Sequence, residues 1–205
     1  MASDLFHLTA PHHFLVEQFE SYFSDQKKVL LPLCGKTLDL NFLASQGINA
    51  VGVEFNPKAV ESFFTDSGLA PNIEQASSKT HYSAPNIDLW CADFFELKVE
   101  DTGGFERIFD RAALVALPEE LRTDYAAHLL SFLKPKGHIL LVTMSYDQNE
   151  MSGPPFFVGL AEIERLFPNS SIKELNRISI LDSHPRWREL QLSRLDEVLY
   201  DIHLD

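Results

Sequence analysis

The stretch Leu31-Pro32-Leu33-Cys34-Gly35-Lys36-Thr37 stands where a short apolar strand runs out. Nineteen residues after Gly35, a second strand, Val51-Gly52-Val53, ends on the acid Glu54. This spacing constrains the fold strongly. A first strand delivers the chain to a tight turn, where a glycine lets backbone approach a ligand. The next strand ends in a carboxylate able to accept hydrogen bonds from both hydroxyls of a ribose. That is the layout of a nucleoside-cofactor site in an open α/β sheet.

The rest of the chain repeats the alternation. Phe14, Leu15, Phe19 and Tyr22 fall on one face of an N-terminal helix ending near Ser24-Asp25. Lys28–Leu31 is a strand stopped by Pro32. Thr37 caps a helix that Gly47 closes, and Pro57 sits in the first turn of the helix after Glu54. Residues 71 to 86 are polar and irregular, read as loop with some edge strand. Ile87–Cys91 and Phe105–Arg111 are further strands. Pro118 opens a helix to about Leu133, Lys134–Gly137 is a turn, and His138–Met144 is an apolar strand. Phe156 to Phe167 reads as helix, and two last strands near Ile172–Leu181 and Leu190–Ile202 have no long helix between them, so they pair antiparallel. The expectation is one α/β domain over residues 1–205, with a mainly parallel sheet, helices on both faces, and residues 1–27 as a helical cover.

Composition narrows the class. At 205 residues, 45% hydrophobic and 23% charged, the chain has the make-up of one soluble globular domain. No apolar run approaches the roughly 18 residues of a membrane helix. The N-terminus has no basic cluster leading into an apolar segment, so no secretory signal is read. Two cysteines make no disulfide framework, which fits a reducing cytoplasm. A net charge of −13 repels phosphate backbones and argues against a general nucleic-acid binder. The same field favours a cationic ligand such as a sulfonium, though salt weakens it.

The carboxyl ends of the strands supply Leu33-Cys34-Gly35, then Glu54, then Asp93-Phe94, then Asp110-Arg111. The set suits a purine nucleoside joined to an amino acid: Glu54 on the ribose, Asp93 accepting from the adenine amino group, Phe94 covering the ring. Structural roles compete with each of these. Glu54 and Asp93 also suit turns and caps, Cys34 suits packing, and Phe94 and Phe95 suit core. A nicotinamide dinucleotide needs a glycine-rich turn against its pyrophosphate, and this turn has one glycine. Gly35-Lys36-Thr37 echoes a phosphate loop, but the earlier glycine it requires falls inside the strand. No Cys or His spacing matches a metal site; His12-His13 is an adjacent pair whose side chains diverge on a helix. S-adenosylmethionine, which carries no phosphate, fits the turn.

Pro32–Asp39, Gly52-Val53-Glu54, Phe109-Asp110-Arg111-Ala112-Ala113-Leu114-Val115-Ala116-Leu117, Tyr146-Asp147-Gln148, Gly153-Pro154-Pro155-Phe156 and Leu192–Glu197 occur in the order and spacing of one family. The chain resembles the thiopurine S-methyltransferases, bacterial type, over roughly residues 5 to 200. The resemblance implies a Rossmann-like class I methyltransferase fold, with a seven-stranded, mostly parallel sheet and an antiparallel last strand. It implies S-adenosylmethionine contacts at Leu33, Gly35, Glu54, Asp93, Phe94 and Arg111. It implies substrate contacts at Phe6, Arg111 and Arg186, with Arg188 close enough to exchange places with Arg186. Arg111 becomes the expected catalytic residue; a structural ion pair with Asp110 or Glu54 is its alternative role. Family members begin with a longer Trp-containing segment ahead of the Phe-His pair, and this chain starts near Phe6-His7, so the expectation is either a shortened lid or a sequence that is a piece of a longer chain.

The expected activity is S-methylation of small aromatic or heterocyclic thiols, with selenium or tellurium species as other acceptors, by in-line attack of the thiolate on the sulfonium methyl. Such thiols ionise near neutral pH, so alignment and desolvation are the larger demand. Arg111, always charged, favours the thiolate. The second reading is a protein that binds the cofactor with little turnover because its lid is short. A monomer in the cytoplasm acting on a small molecule, with no nucleic-acid or membrane partner, completes the expectation.

Overall fold

Local signals set most element boundaries in the computed structural model, which describes residues 9–204. Helix α1 (His13–Glu17) runs into a single π-helical turn, Phe19–Phe23, and strand β1 is Lys28–Leu31. The Thr37 hydroxyl accepts the Asp39 N–H and so caps α2 (Leu38–Ser45). Strand β2 (Asn49–Glu54) leads to α3 (Pro57–Ser67). There the Asn56 side chain caps the N-terminus, and Gly68 at φ +66° closes the other end. Strands β3 (Asn72–Ala76), β4 (Lys79–Ala84) and β5 (Ile87–Cys91) follow. A short turn at Phe94–Glu96 and α4 (Val99–Thr102) precede β6 (Phe105–Arg111).

A turn at Leu114–Ala116, helix α5 (Glu119–Phe132) and the long strand β7 (Leu133–Ser145) come next. The chain ends with α6 (Leu160–Leu166), β8 (Ser170–Ser179), α7 (Pro185–Glu189) and β9 (Asp196–Leu204).

Two compact units divide the chain, residues 1–109 and 110–205. In the first, the strand order is β3-β4-β5-β2-β1-β6. The inner strands are parallel: Leu31 lies opposite Gly52, and Glu54 opposite Cys91. Val29, Leu30, Ala50, Val53 and Leu89 are buried, as expected for strands covered on two faces. The N-terminal segment is tied in by Asp39, which is 1% exposed and accepts the His12 N–H at 2.6 Å and the Thr37 hydroxyl at 2.8 Å. A buried carboxylate is tolerated where donors surround it.

In the second unit, β9 lies between β7 and β8, antiparallel to both. β9 is therefore the buried strand and β8 the exposed one. Asp110 is fully buried there. Its carboxylate accepts the Tyr125 hydroxyl at 2.8 Å and the N–H groups of Ala113 and Leu114 at 3.2 and 3.3 Å. Burial outweighs these donors and pushes its pKa up to about 6.

Several expectations change. The described residues hold nine strands, not seven, because the stretch read as loop with some edge strand forms a full hairpin, β3 and β4, at the sheet edge onto β5. Ser77 at φ +53° and Asn86 at φ +58° make the tight reversals. The N-terminal helix is broken into α1 and the π-turn. Lys134–Gly137 belongs to β7, with Lys136 bent to φ +60° where the ladder to β9 begins at His138. Helix α6 starts at Leu160 rather than Phe156, because Phe157 bridges to Met144. The last strand starts at Asp196 rather than Leu190, after the irregular stretch 190–195 that follows α7.

The Asp110 site yields a pH prediction. The folded chain holds this proton where an unfolded chain, with an ordinary value of 3.8, releases it. The contribution to stability is therefore full below about pH 4 and lost as pH rises to about 6. Asp110→Asn keeps an acceptor for the two backbone donors and removes that loss. In urea unfolding, the variant is expected to gain about 2–3 kcal/mol on the natural protein between about pH 4 and pH 7. A difference that does not change with pH contradicts the assignment.

Candidate functional site

Glu54 is the organising side chain of the first unit's strand ends. It is 6% exposed, with Oε2 accepting the Gly35 N–H at 2.9 Å and Oε1 the Asn56 N–H at 2.8 Å. One carboxylate thus holds the turn after β1 and the start of α3 together. Each oxygen has a further lone pair beyond these bonds. Backbone bonds stitch the neighbouring loops to the same strand end: Cys34 N–H to Val53 O at 2.9 Å, and Ala92 N–H to Glu54 O at 3.0 Å. The turn, Glu54 and Asp93 are thereby gathered at one edge, as the sequence spacing predicts.

The turn reverses through left-handed backbone at Leu33 (φ +46°) and Gly35 (φ +57°). Leu33 pays roughly 1–2 kcal/mol for that conformation. Strain of this kind persists where the surroundings impose it and clusters at ligand sites. A Cβ at Gly35 would meet nothing within 4 Å, so the space over the turn is open. An open turn with backbone at the surface and a carboxylate beside it fits a nucleoside cofactor.

Cys34 faces the other way. Its Sγ would lie 2.8 Å from a Cβ at Gly52, so that glycine makes room for the thiol. Burial, then the Glu54 charge, push the thiol well above its ordinary value. This fits a packing role for the thiol better than a nucleophilic one.

At the end of β5, Asp93 is exposed, and its Oδ1 accepts the Phe95 N–H at 3.0 Å, capping the short turn. Phe94 is 2% exposed and its ring is core; the ring presented to solvent is Phe95, at 43%. Sequence reasoning also passed over Phe55, next to Glu54 and 68% exposed. A large aromatic at the tip of a buried parallel strand was the signal available for it.

The second unit carries Arg111 and Arg186. Arg111 closes β6, half-buried, just before Ala112 turns the chain at φ +69°. Arg186 is half-buried on α7, with its guanidinium 5.4 Å from the centre of the Trp187 ring. Arg188 is exposed and pairs with Asp182 at 3.2 Å. Phe6 lies outside the described residues.

Gly153-Pro154-Pro155-Phe156-Phe157 forms a strap in this unit. The Tyr146 hydroxyl donates to Pro155 O at 2.8 Å, and Phe156 N–H donates to Val115 O at 2.7 Å. Beside the strap lies a cavity of about 410 Å³, lined by Arg122, Tyr146, Met151, Phe156, Phe157 and Glu162 among others.

Comparison with known proteins bears on this geometry. The thiopurine S-methyltransferase family model matches residues 4–204. Thiopurine S-methyltransferase of Pseudomonas fluorescens (strain SBW25) is 41% identical over 197 residues, covering 95% of this chain and 90% of that protein. The enzyme of that name from Nitrosospira multiformis is 42% identical over 175 residues, covering 85% and 80%. Among solved structures, the YcgJ protein of Bacillus subtilis superimposes with a TM-score of 0.66 at 13% identity, covering 94% of this chain and 99% of that one. A Burkholderia thailandensis 1,6-didemethyltoxoflavin-N1-methyltransferase, solved with S-adenosylhomocysteine, gives 0.60 at 14% identity, covering 94% and 78%. These likenesses establish the class I methyltransferase fold. With its family match running through nearly the whole sequence, the chain belongs to the thiopurine S-methyltransferase family of S-adenosylmethionine-dependent methyltransferases.

Proposed function

We propose that the chain methylates the sulfur of a small aromatic or heterocyclic thiol, or the selenium or tellurium of a comparable species. The observation that carries this reading is Glu54: a carboxylate fixed by two backbone donors at a strand tip, beside an open turn at Gly35. The relatives' names supply the thiol class. Bound S-adenosylmethionine supplies an electrophilic methyl group on a sulfonium centre.

The chain's own residues divide the work. Glu54 accepts from the ribose hydroxyls with its remaining lone pairs. Asp93 accepts from the adenine amino group, with backbone at Phe94 beside it. Phe55 and Phe95, exposed at 68% and 43%, cover the base. Leu33 and Gly35 present backbone to the amino-acid portion. Arg111 favours the thiolate form of the acceptor, and its permanent charge suits that role. Arg186 is the better candidate than Arg188 for a second acceptor contact, since Arg188 is engaged by Asp182. The 153–157 strap walls the acceptor. Phe6 remains a proposed substrate contact.

We read residues 1–205 as one methyltransferase domain, because the family match runs through both compact units. No helix among the described residues is long and apolar enough to cross a membrane. A cytoplasmic monomer is proposed, with Cys34 and Cys91 as free thiols in support of a reducing compartment.

The direct test is incubation with S-adenosylmethionine and 6-mercaptopurine or thiophenol, reading the methyl thioether by mass spectrometry. Glu54→Gln replaces an acceptor oxygen by a donor and is expected to weaken cofactor binding about 10- to 100-fold in calorimetry. Unchanged affinity removes Glu54 from the site. Arg111→Ala is expected to lower kcat/KM about tenfold or more, with larger losses for less acidic thiols. An equal loss across thiols of different acidity argues against thiolate stabilisation. Cys34→Ala is expected to keep turnover within about threefold, because its thiol stays protonated at neutral pH. Loss of all turnover in a folded Cys34→Ala protein contradicts the packing role.

A further inference from the structure

Arg122 is an arginine in the wrong place for an ordinary surface charge. It sits on α5, only 4% exposed, and its guanidinium is held on several sides. Nε donates to Leu117 O at 2.9 Å. Nη1 reaches both Glu162 oxygens at 2.9 Å and Phe157 O at 3.5 Å. The guanidinium carbon lies 5.4 Å from the centre of the Phe156 ring. One buried cation therefore touches three separate stretches: the turn that follows Arg111, the strap, and α6.

A buried ion pair adds little net stability, since desolvating both charges costs about what their attraction returns. An apolar side chain of similar size would fill this volume at comparable stability. It would not bond two backbone carbonyls from different loops. The planar fork of arginine does this, and the point charge of lysine does not. Glu162, with a side chain 18% exposed, compensates the charge from the opposite side. The strap has further attachments: Phe156 N–H to Val115 O, the Tyr146 hydroxyl to Pro155 O, and the bridge of Phe157 to Met144. The first of these joins the same turn that Arg122 bonds at Leu117. Without Arg122, the strap keeps these attachments, the bridge of Phe157 to β7 among them, and loses its tie to α5.

We propose that Arg122, braced by Glu162, is a positioning residue for the acceptor. It sets the Pro154–Phe157 strap against the Leu114–Leu117 turn, and so fixes the distance between the acceptor wall and the segment that carries Arg111. It acts through the strap and contacts no reacting atom. The inference rests on the reading of the strap as the acceptor wall. It implies a division of labour, in which Arg122 governs thiol recognition while cofactor affinity is set at Glu54 and Gly35.

The test compares Arg122→Lys, Arg122→Met and Glu162→Gln with the natural protein. Cofactor affinity is measured by calorimetry, and KM and kcat are measured for 6-mercaptopurine and thiophenol. Arg122→Lys and Arg122→Met are expected to raise the acceptor KM about tenfold, leaving cofactor affinity within about twofold. Glu162→Gln keeps the arginine and is expected to raise the acceptor KM by a smaller factor in the same direction. It also keeps the inference testable if the arginine variants fail to fold. An unchanged acceptor KM in folded variants overturns the inference, as does a parallel loss of cofactor affinity. Failure of the natural protein to bind S-adenosylmethionine is a different result and sinks the functional reading itself. Cofactor binding without methylation of any thiol removes the strap as an acceptor wall, and this inference with it.

Discussion

The bond pair on Glu54 is the constraint on which the first unit's functional edge depends. The carboxylate ties the Gly35 amide on one side and the Asn56 amide on the other. It thereby fixes the turn after β1 relative to the first turn of α3. Cys34 and Ala92 bond to the same strand end, so the loops at that edge share one reference frame. A buried carboxylate is costly unless donors meet it, and here the donors belong to the loops that need holding. The structural and functional readings of Glu54 therefore coexist: backbone donors occupy one direction at each oxygen and leave the others for a ligand's hydroxyls.

The second unit uses buried polar groups in a comparable way. Asp110 gathers Tyr125 and two backbone amides immediately before Arg111, so the end of β6 is rigid where a functional side chain is expected. Its raised pKa is the cost of placing a carboxyl where water does not reach. Arg122 does for the strap what Asp110 does for the strand end, by bonding carbonyls in place of amides. Both groups order loops that apolar packing alone would leave free to slide.

Legibility followed the range of the interactions. Thr37 as a cap and Pro57 at a helix start are local chemistry and were read from the sequence; Asn56 and Gly68, which close the two ends of α3, are equally local but were passed over. The hairpin of β3 and β4 was only partly legible, as some edge strand in a loop, because its strands are polar and largely outside the core, and their pairing depends on β5 offering an edge. Lys134–Gly137 reads as a turn from its proline and glycine; the structure carries it in β7, ahead of the ladder to β9 that begins at His138. The same limit holds at the site. Glu54 was visible as an acid at a strand tip. Which of Phe94 and Phe95 faces solvent depends on how a three-residue turn seats on the core.

By itself, the sequence determined the alternation of strand and helix, the turn at Gly35, the acid that answers it, and the motifs that mark the family. These are set by residues close together along the chain, through backbone sterics, capping and hydrophobic period. The tertiary structure decided the rest. It made the Glu54 oxygens a brace for two loops, buried Phe94 while presenting Phe55 and Phe95, packed the Cys34 thiol against Gly52, and closed Arg122 onto the strap. Each of these depends on groups far apart in sequence meeting where water is excluded, and no local pattern records that meeting.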